Sequence, residues 1–460
     1  MKVTVREITE AVNGTLLCGS PDQVIEHISI DSRNSEGNDI FVPIIGAKVD
    51  AHRFIANAFE VGCAATLTSE HGEMKDEAHA WIRVEDTIEA LHAIGRLCRS
   101  RVALDAIGVT GSVGKTTTRE MIACALSAGK KVFKTGKNYN SSVGVPITMS
   151  QMSDDYEIAV LELGMNVPGE LGTISEIARL KMAVITNVGV AHIEYFGSQE
   201  AICHEKYTIT RGFGEEGLLI INGDDPLLYR FRESTGYPFV LYGTEAHCEY
   251  RAENIRMEQG HYCFDYVHGE ERVPVVLSVL GRHNVQNAVA ALAAAELNGV
   301  PVRDAAKALS SFTGFKNRLE RISMGHYTII DDTYNASPDS MIAGVRVLSG
   351  YETKGRKIAV LSDMMELGSE SPNFHRQVGE AIAAEPIDEL IIVGELSVNI
   401  AEGAASKNAA YPITRMASNE AAARYIHETV KEQDVVYLKA SNSMHLKEIT
   451  AWLKEQHTQM

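Results

Sequence analysis

The stretch Gly108-Val-Thr-Gly-Ser-Val-Gly-Lys-Thr-Thr-Thr118 follows a short apolar run, Ala106 to Val109, and precedes a segment that places Met121, Ile122, Ala125 and Leu126 on one helical face. The order is buried strand, glycine loop, helix. Glycines in such a loop let backbone N–H groups curl around an anion, and the helix N-terminus adds a favourable dipole. On this reading Gly111, Ser112, Val113, Gly114 and Thr117 cradle the phosphates of ATP. Lys115 reaches the β- and γ-phosphates, and Thr116 offers its hydroxyl to Mg²⁺. The spacing is G-x-x-G-x-x-G-K-T, with Val109 where a strict P-loop has glycine. A serine nucleophile is the poorer reading, because Thr110-Gly-Ser-Val-Gly114 lacks the first glycine of G-x-S-x-G.

Working outward, residues 158–164, 182–188 and 217–222 read as buried strands, each separated by helical sequence. Such alternation predicts an α/β fold with a mostly parallel sheet, whose ligands sit at the carboxyl ends of the strands. Thr116, Glu162 and His192 all fall at such ends. A hard cation on a nucleotide takes oxygen ligands and keeps some waters, so a hydroxyl, a carboxylate and one imidazole nitrogen form a workable set. Taken singly, Glu162 or His192 reads better as a helix cap or a buried hydrogen-bond partner. Taken with the phosphate loop, the metal reading is preferred.

At 460 residues the chain exceeds one ordinary core, and two or three domains are expected. Residues 1–84 alternate short apolar runs with turns and read as a small α/β domain. Residues 85–318 form a central ATP-binding domain, in which 225–280 is strand-rich without a usable motif. Residues 319–460 read as a Rossmann-like, doubly wound domain, with strands at 327–330, 358–361, 390–393 and 435–438 and helices starting near 338, 373, 418 and 445. No G-x-G-x-x-G accompanies them, so a dinucleotide is not indicated. Asp31-Ser-Arg33 is best explained locally as a capped turn with a surface ion pair. Asn284 and Asn287, opening an Ala-rich helix, are placed equally well to cap it or to meet a base or ribose. Ser337 followed by Pro338 is a helix start.

The net charge of −18 argues against a nucleic-acid partner. Seven cysteines are scattered without a C-x-x-C pair, so neither a disulfide framework nor a zinc site is indicated, and reduced thiols in a cytoplasmic protein are expected. The first residues lack the apolar core of a secretory signal. The most apolar run, 289–297, contains Glu296 and is too short for a bilayer, so no membrane insertion is expected.

Taken together, the chain resembles the Mur ligases of peptidoglycan synthesis. The resemblance rests on Asp31-Ser-Arg33, the stretch from Gly108 to Thr117, Leu161-Glu-Leu-Gly164 with Pro168-Gly-Glu170, and Thr186-Asn-Val-Gly-Val-Ala-His192. It continues in Asn317-Arg318, Asp331-Asp-Thr-Tyr-Asn-Ala-Ser-Pro-Asp-Ser-Met341 and Asp363-Met-Met-Glu-Leu-Gly368. It implies an ATP- and Mg²⁺-dependent, ADP-forming amide ligase of cell-wall precursor synthesis, acting as a monomer on small molecules. The last two stretches select the member that joins D-alanyl-D-alanine to UDP-N-acetylmuramoyl-tripeptide through an acyl phosphate.

The resemblance also implies roles for single residues. Ser32 and Arg33 are similar in position to contacts with the uridine-diphosphate end of the sugar substrate, and Glu162 and His192 to Mg²⁺ ligands. Lys206 matches a lysine that is carbamylated in the family and then holds a second ion; with Lys115 and His192 it makes the catalytic set. Asn284, Asn287, Asn317, Arg318 and Asp331 match nucleotide contacts. Asn140 matches a substrate contact, while Tyr334, Asn335 and Ser337 face the incoming dipeptide. The chain departs from the pattern at Ser362, where glycine is usual, and at Lys439-Ala-Ser-Asn442, where Lys-Gly-Ser-Arg is usual. Losing that arginine removes a planar donor fork and bears on the amine substrate. The alternatives are a related ligase of folate-type or amino-acid-polymerising specificity, or a nucleotide-dependent regulatory protein without turnover. Retention of Lys115, Thr116, Glu162, His192 and Lys206 counts against the second.

Overall fold

The strand and helix expected around the glycine loop form as Asp105–Thr110 and Lys115–Leu126 in the computed structural model, which describes residues 2–46, 48–136 and 138–459. The strand lies inside a nine-stranded sheet, between Leu180–Ile185 and Ile158–Glu162, and parallel to both. Phe213–Asn222, Phe239–Gly243 and Tyr250–Glu258 extend the parallel sheet on one side, and Val132–Lys134 closes the other. His261–His268 and Glu271–Leu277 then add two antiparallel strands. All five residues of Ile158–Glu162 are buried, as befits a strand covered on both faces.

One face of this sheet carries Lys115–Leu126 and the Ala-rich helix His283–Leu297. Ala288 to Ala295 are inaccessible to solvent, their small side chains allowing close packing. The other face carries Gly144–Gln151, Glu170–Ala178 and the helix Thr87–Ser100. Asp86 caps that last helix, accepting from Ile88 N–H (2.7 Å) and Glu89 N–H (3.0 Å). Its Leu91 and Ile94 share one core with Ile40, Leu67 and Ile82 of the N-terminal sheet and with Leu161 and Ile174 of the central unit.

The N-terminal sheet has five strands in the order Thr15–Cys18, Ala80–Arg83, Cys63–Thr68, Asp39–Phe41 and His27–Ser29. The C-terminal sheet has six, ordered Glu320–Ser323, Thr328–Asp331, Val435–Lys439, Lys357–Ser362, Glu389–Val393 and Ile413–Met416. It is parallel except for its first edge strand, and helices wind on both faces. The two edge strands and the helix Val398–Ser406 were not expected from sequence. Ile413–Met416 is only half-buried and Glu320–Ser323 alternates weakly, so neither carries a strong apolar run. The seven cysteines are unpaired. Among the described residues no helix is long and apolar enough to cross a membrane.

Candidate active site

The shape of the glycine loop is imposed by the strand beside it. Gly111 has φ 151°, and a Cβ there would sit 1.8 Å from Thr186 Oγ1, so only glycine fits. Thr186 and Asn187, just beyond Leu180–Ile185, clasp the loop. Ser112 N–H donates to the Asn187 carbonyl (3.1 Å) and Val113 N–H to Asn187 Oδ1 (2.9 Å). Thr186 Oγ1 (2.7 Å) and Asn187 Nδ2 (2.9 Å) both donate to the Val113 carbonyl. The first turn of Lys115–Leu126 adds the N–H groups of Lys115, Thr116 and Thr117, which have no carbonyl partner within the helix. Lys115 Nζ folds back to donate to the Gly111 carbonyl (2.7 Å), and burial pulls its pKa down against the attraction of Glu162.

The loop opens on a cavity of about 1250 Å³ between the central and C-terminal units. Ser112 to Thr117, Asn140, Glu162, His192, Asn284 and Asn287 line it from the central side, and Arg318, Tyr334, Asn335 and Ser337 from the other. Asn284 and Asn287 are tied into the helix and loop: Asn287 Nδ2 donates to Asn284 Oδ1 (2.8 Å) and Asn287 Oδ1 accepts from Thr118 Oγ1 (3.1 Å). Arg318 bridges the two sides, its Nη2 donating to Thr116 Oγ1 (2.9 Å) while its guanidinium carbon lies 3.9 Å from the Tyr334 ring centre. That geometry combines a directional donor with a cation–π contact.

Other expected residues lie off the cavity wall. Asn317 Nδ2 donates to Asp331 Oδ2 (3.0 Å), and Asp331 Oδ1 accepts from Thr333 N–H and Oγ1, so both residues brace the chain entering the third unit. Ser32 and Arg33 sit in an exposed turn, where Arg33 Nε and Nη2 each donate to the Asp31 carboxylate at 2.8 Å. Arg33 holds the Asp31 carboxyl down at about 2. This is the capped turn with an ion pair that the local sequence favoured.

Lys206, on the helix Gln199–Tyr207, is buried, and among the described residues its Nζ has only the Met165 sulfur, at 3.9 Å, as a hydrogen-bond partner. Burial, reinforced by Lys115, lowers its pKa well below the usual lysine value. Glu162 is also buried, Oε1 accepting from Asn140 Nδ2 (2.7 Å) and Oε2 from Arg119 Nη1 (3.2 Å). Arg119 Nη2 reaches Glu120 Oε1 (2.5 Å), and Lys134 Nζ completes the array on Glu120. His192 takes a left-handed conformation, φ 64°, with Nδ1 2.7 Å from Glu366 Oε2. A hydroxyl, a carboxylate and an imidazole on one cavity wall fit a hard divalent cation held with a nucleotide. The other acidic cluster, Asp50, His52 and Glu70, is structural: His52 Nδ1 meets Asp50 (2.6 Å) and Nε2 accepts from Ser69 N–H (3.1 Å).

Several residues in or beside this site were given no role from sequence. Arg119 is four residues after Lys115 and so on the same helical face, which is the available signal. Asp332 follows the strand Thr328–Asp331 and Lys439 ends the parallel strand beside it; Lys439 Nζ donates to Asp332 Oδ2 (2.6 Å) and the Asn335 carbonyl (3.0 Å). Glu366 lay inside a quoted motif without a role.

A clasped phosphate loop facing a second α/β unit across a shared cavity defines an ATP-dependent ligase, and the chain belongs to the Mur ligase family. It matches the Mur ligase catalytic domain over residues 24–98, the Mur ligase middle domain over 109–295 and the glutamate ligase domain over 317–442. Among named relatives, the UDP-N-acetylmuramoyl-tripeptide--D-alanyl-D-alanine ligase of Bacillus subtilis is 37% identical over 99% of both chains. The crystal structure of MurF from Acinetobacter baumannii superposes with a TM-score of 0.90 at 31% identity, covering 99% of each chain. MurF ligase from Thermotoga maritima, solved in complex with ADP, gives 0.83 at 28% identity, over 94% of this chain and 98% of that one.

Proposed function

We propose that this chain joins D-alanyl-D-alanine to UDP-N-acetylmuramoyl-tripeptide with consumption of ATP, in the cytoplasmic synthesis of peptidoglycan precursors. The named relatives match it over nearly the full length. The observation that carries the reading is the juxtaposition of the phosphate loop with Arg318, Tyr334, Asn335 and Ser337 across one cavity. A carboxylate cannot expel oxide, so the tripeptide carboxylate attacks the γ-phosphorus of ATP, ADP leaves, and an acyl phosphate forms. The dipeptide amine then attacks the acyl carbon and phosphate leaves, the amine giving up its proton.

The main barrier the protein can address is repulsion between carboxylate and triphosphate. Lys115 exchanges the Gly111 carbonyl for phosphate oxygens, and Arg318, poised at Thr116, adds a second positive charge. Mg²⁺, held by Thr116, Glu162 and His192, would supply further charge neutralisation on the phosphates. Burial lowers the Lys206 pKa well below the usual lysine value and so favours the neutral amine, the form that would add carbon dioxide to give a carbamate able to hold a second ion. Tyr334, Asn335 and Ser337 receive the dipeptide, Asn140 contacts substrate, and Ser32 and Arg33 meet the uridine-diphosphate end. The chain acts as a monomer on small molecules. Lys115→Ala is expected to reduce dipeptide-dependent ADP release by at least about a hundredfold, and near-normal ligation by that variant would refute the proposal. A panel of acceptor amines separates it from a ligase of other specificity.

A further inference from the structure

One chemical demand of the proposed ligation has no residue yet. The incoming dipeptide carries an α-ammonium group, and its nitrogen must be seated close to the acyl phosphate before attack. The wall contributed by the C-terminal unit offers few uncommitted carboxylates. Asp332 is bonded to Lys439 and to Tyr437 Oη (3.0 Å), and Glu320 accepts from Asn317 N–H (2.9 Å). Asp339 lies against Gly189 beside the phosphate loop, where the triphosphate rather than an amine is seated, and burial pushes its pKa up.

Glu366 differs from these in sitting against His192 of the central unit. It lines the cavity with its side chain half exposed, and only Oε2 is engaged, by His192. Oε1 has no hydrogen bond from the described residues. Its backbone is left-handed, φ 63°, a conformation that costs a non-glycine residue energy and recurs at binding sites. The segment holding it is pinned. Met364 N–H donates to His375 Nε2 (2.9 Å), Met365 N–H to Ser441 Oγ (2.9 Å), and Ser441 N–H to the Asp363 carbonyl (3.1 Å). Asp363 is consumed by the turn before Val398–Ser406, accepting from Ser397 N–H (2.8 Å), while Met364 and Leu367 are buried. Of the charged residues in Asp363-Met-Met-Glu-Leu-Gly368, Glu366 alone is presented to the cavity.

We propose that Glu366 anchors the α-ammonium group of the incoming dipeptide through Oε1, seating the nitrogen beside His192; the assignment rests on the ligase reading above. Atom Oε2 stays on His192, so one carboxylate ties the amine to the wall where the phosphoryl group is transferred. The amine must afterwards lose its proton, and the anchor supplies position rather than that proton transfer.

The test uses the full-length enzyme and separates the two half-reactions. Acyl phosphate formed without dipeptide is trapped by hydroxylamine as a hydroxamate, and complete ligation is followed with D-alanyl-D-alanine. In Glu366→Gln, hydroxamate formation is expected to stay within about twofold of the parent, while KM for the dipeptide rises about 10- to 100-fold, the loss of one charged hydrogen bond. Inhibition by propionyl-D-alanine, which lacks the ammonium, should be unchanged. An unaltered dipeptide KM overturns the assignment, and so does an equal loss in both half-reactions, which would make Glu366 only an orienter of His192. A parent enzyme that forms no hydroxamate overturns the ligase reading itself, and this assignment with it.

Discussion

Replacing Arg119 with methionine tests the electrostatic support of Glu162. Arg119 is buried between the carboxylates of Glu162 and Glu120, and Lys134 provides the second positive charge of the array. Methionine keeps most of the packing volume and removes the charge, leaving Glu162, among the described residues, with the Asn140 amide bond and the attraction of Lys115. Removing one partner of a buried ion pair costs about 3–5 kcal/mol, because the other charge stays buried and uncompensated. For a unit of 150–250 residues each kcal/mol lowers Tm by roughly 2–4 °C, so a fall of about 6–20 °C is expected for the central unit by calorimetry. Arg119→Lys should lose less, since the charge remains and only the two-pronged geometry is lost. Adding Glu120→Gln to Arg119→Met should recover part of the loss, because the two residues share the network and their effects do not add. A fall of under about 1 °C in Arg119→Met, or simple additivity with Glu120→Gln, would refute the argument.

Two further substitutions probe other parts of the fold. Gly111→Ala places a methyl group against Thr186 Oγ1, so nucleotide affinity measured by calorimetry should fall at least about tenfold; pairing it with Thr186→Ala should restore part of that, since the overlapping hydroxyl is gone. Glu7 caps its own helix through Thr4 and meets Arg101 at 2.5 Å, and the Thr4 N–H, followed by Arg101, lowers its carboxyl to about 2. Because that folded value lies below the ordinary one near 4.5, the stabilisation is complete above pH 4.5 and lost as pH falls toward 2. Glu7→Gln should therefore cost about 0.5–1 kcal/mol at pH 7 and progressively less in acid, as read by thermal unfolding across pH.

The phosphate loop was legible because backbone geometry admits few residue types. Gly111 is demanded by its contact with Thr186, and Gly-Lys-Thr at a strand-to-helix junction leaves little choice of chemistry. The buried parallel strands were legible as continuous apolar runs, and Ser337-Pro338 as a helix start that does head Pro338–Ser349. Edge strands such as Ile413–Met416 were not, because a half-exposed strand held by one neighbour needs no apolar run. Tertiary clasps were hidden for another reason. Asn187 looks like the tail of a strand, and its grip on Val113 exists only once two parallel strands lie side by side. Arg119, Asp332 and Glu366 likewise acquire partners from distant segments, so their roles emerge from topology rather than spacing. Asp31-Ser-Arg33 was read two ways, and the turn it forms accounts for the local one.

The central claim is that the acid is activated by phosphorylation before the amine arrives, and isotope transfer tests it most directly. UDP-N-acetylmuramoyl-tripeptide labelled with ¹⁸O in both oxygens of its terminal carboxylate is supplied with ATP, Mg²⁺ and D-alanyl-D-alanine, and the released phosphate is analysed by mass spectrometry. The account predicts that each phosphate carries one labelled oxygen and the new amide carbonyl keeps the other. Phosphate free of label alongside amide product would contradict it.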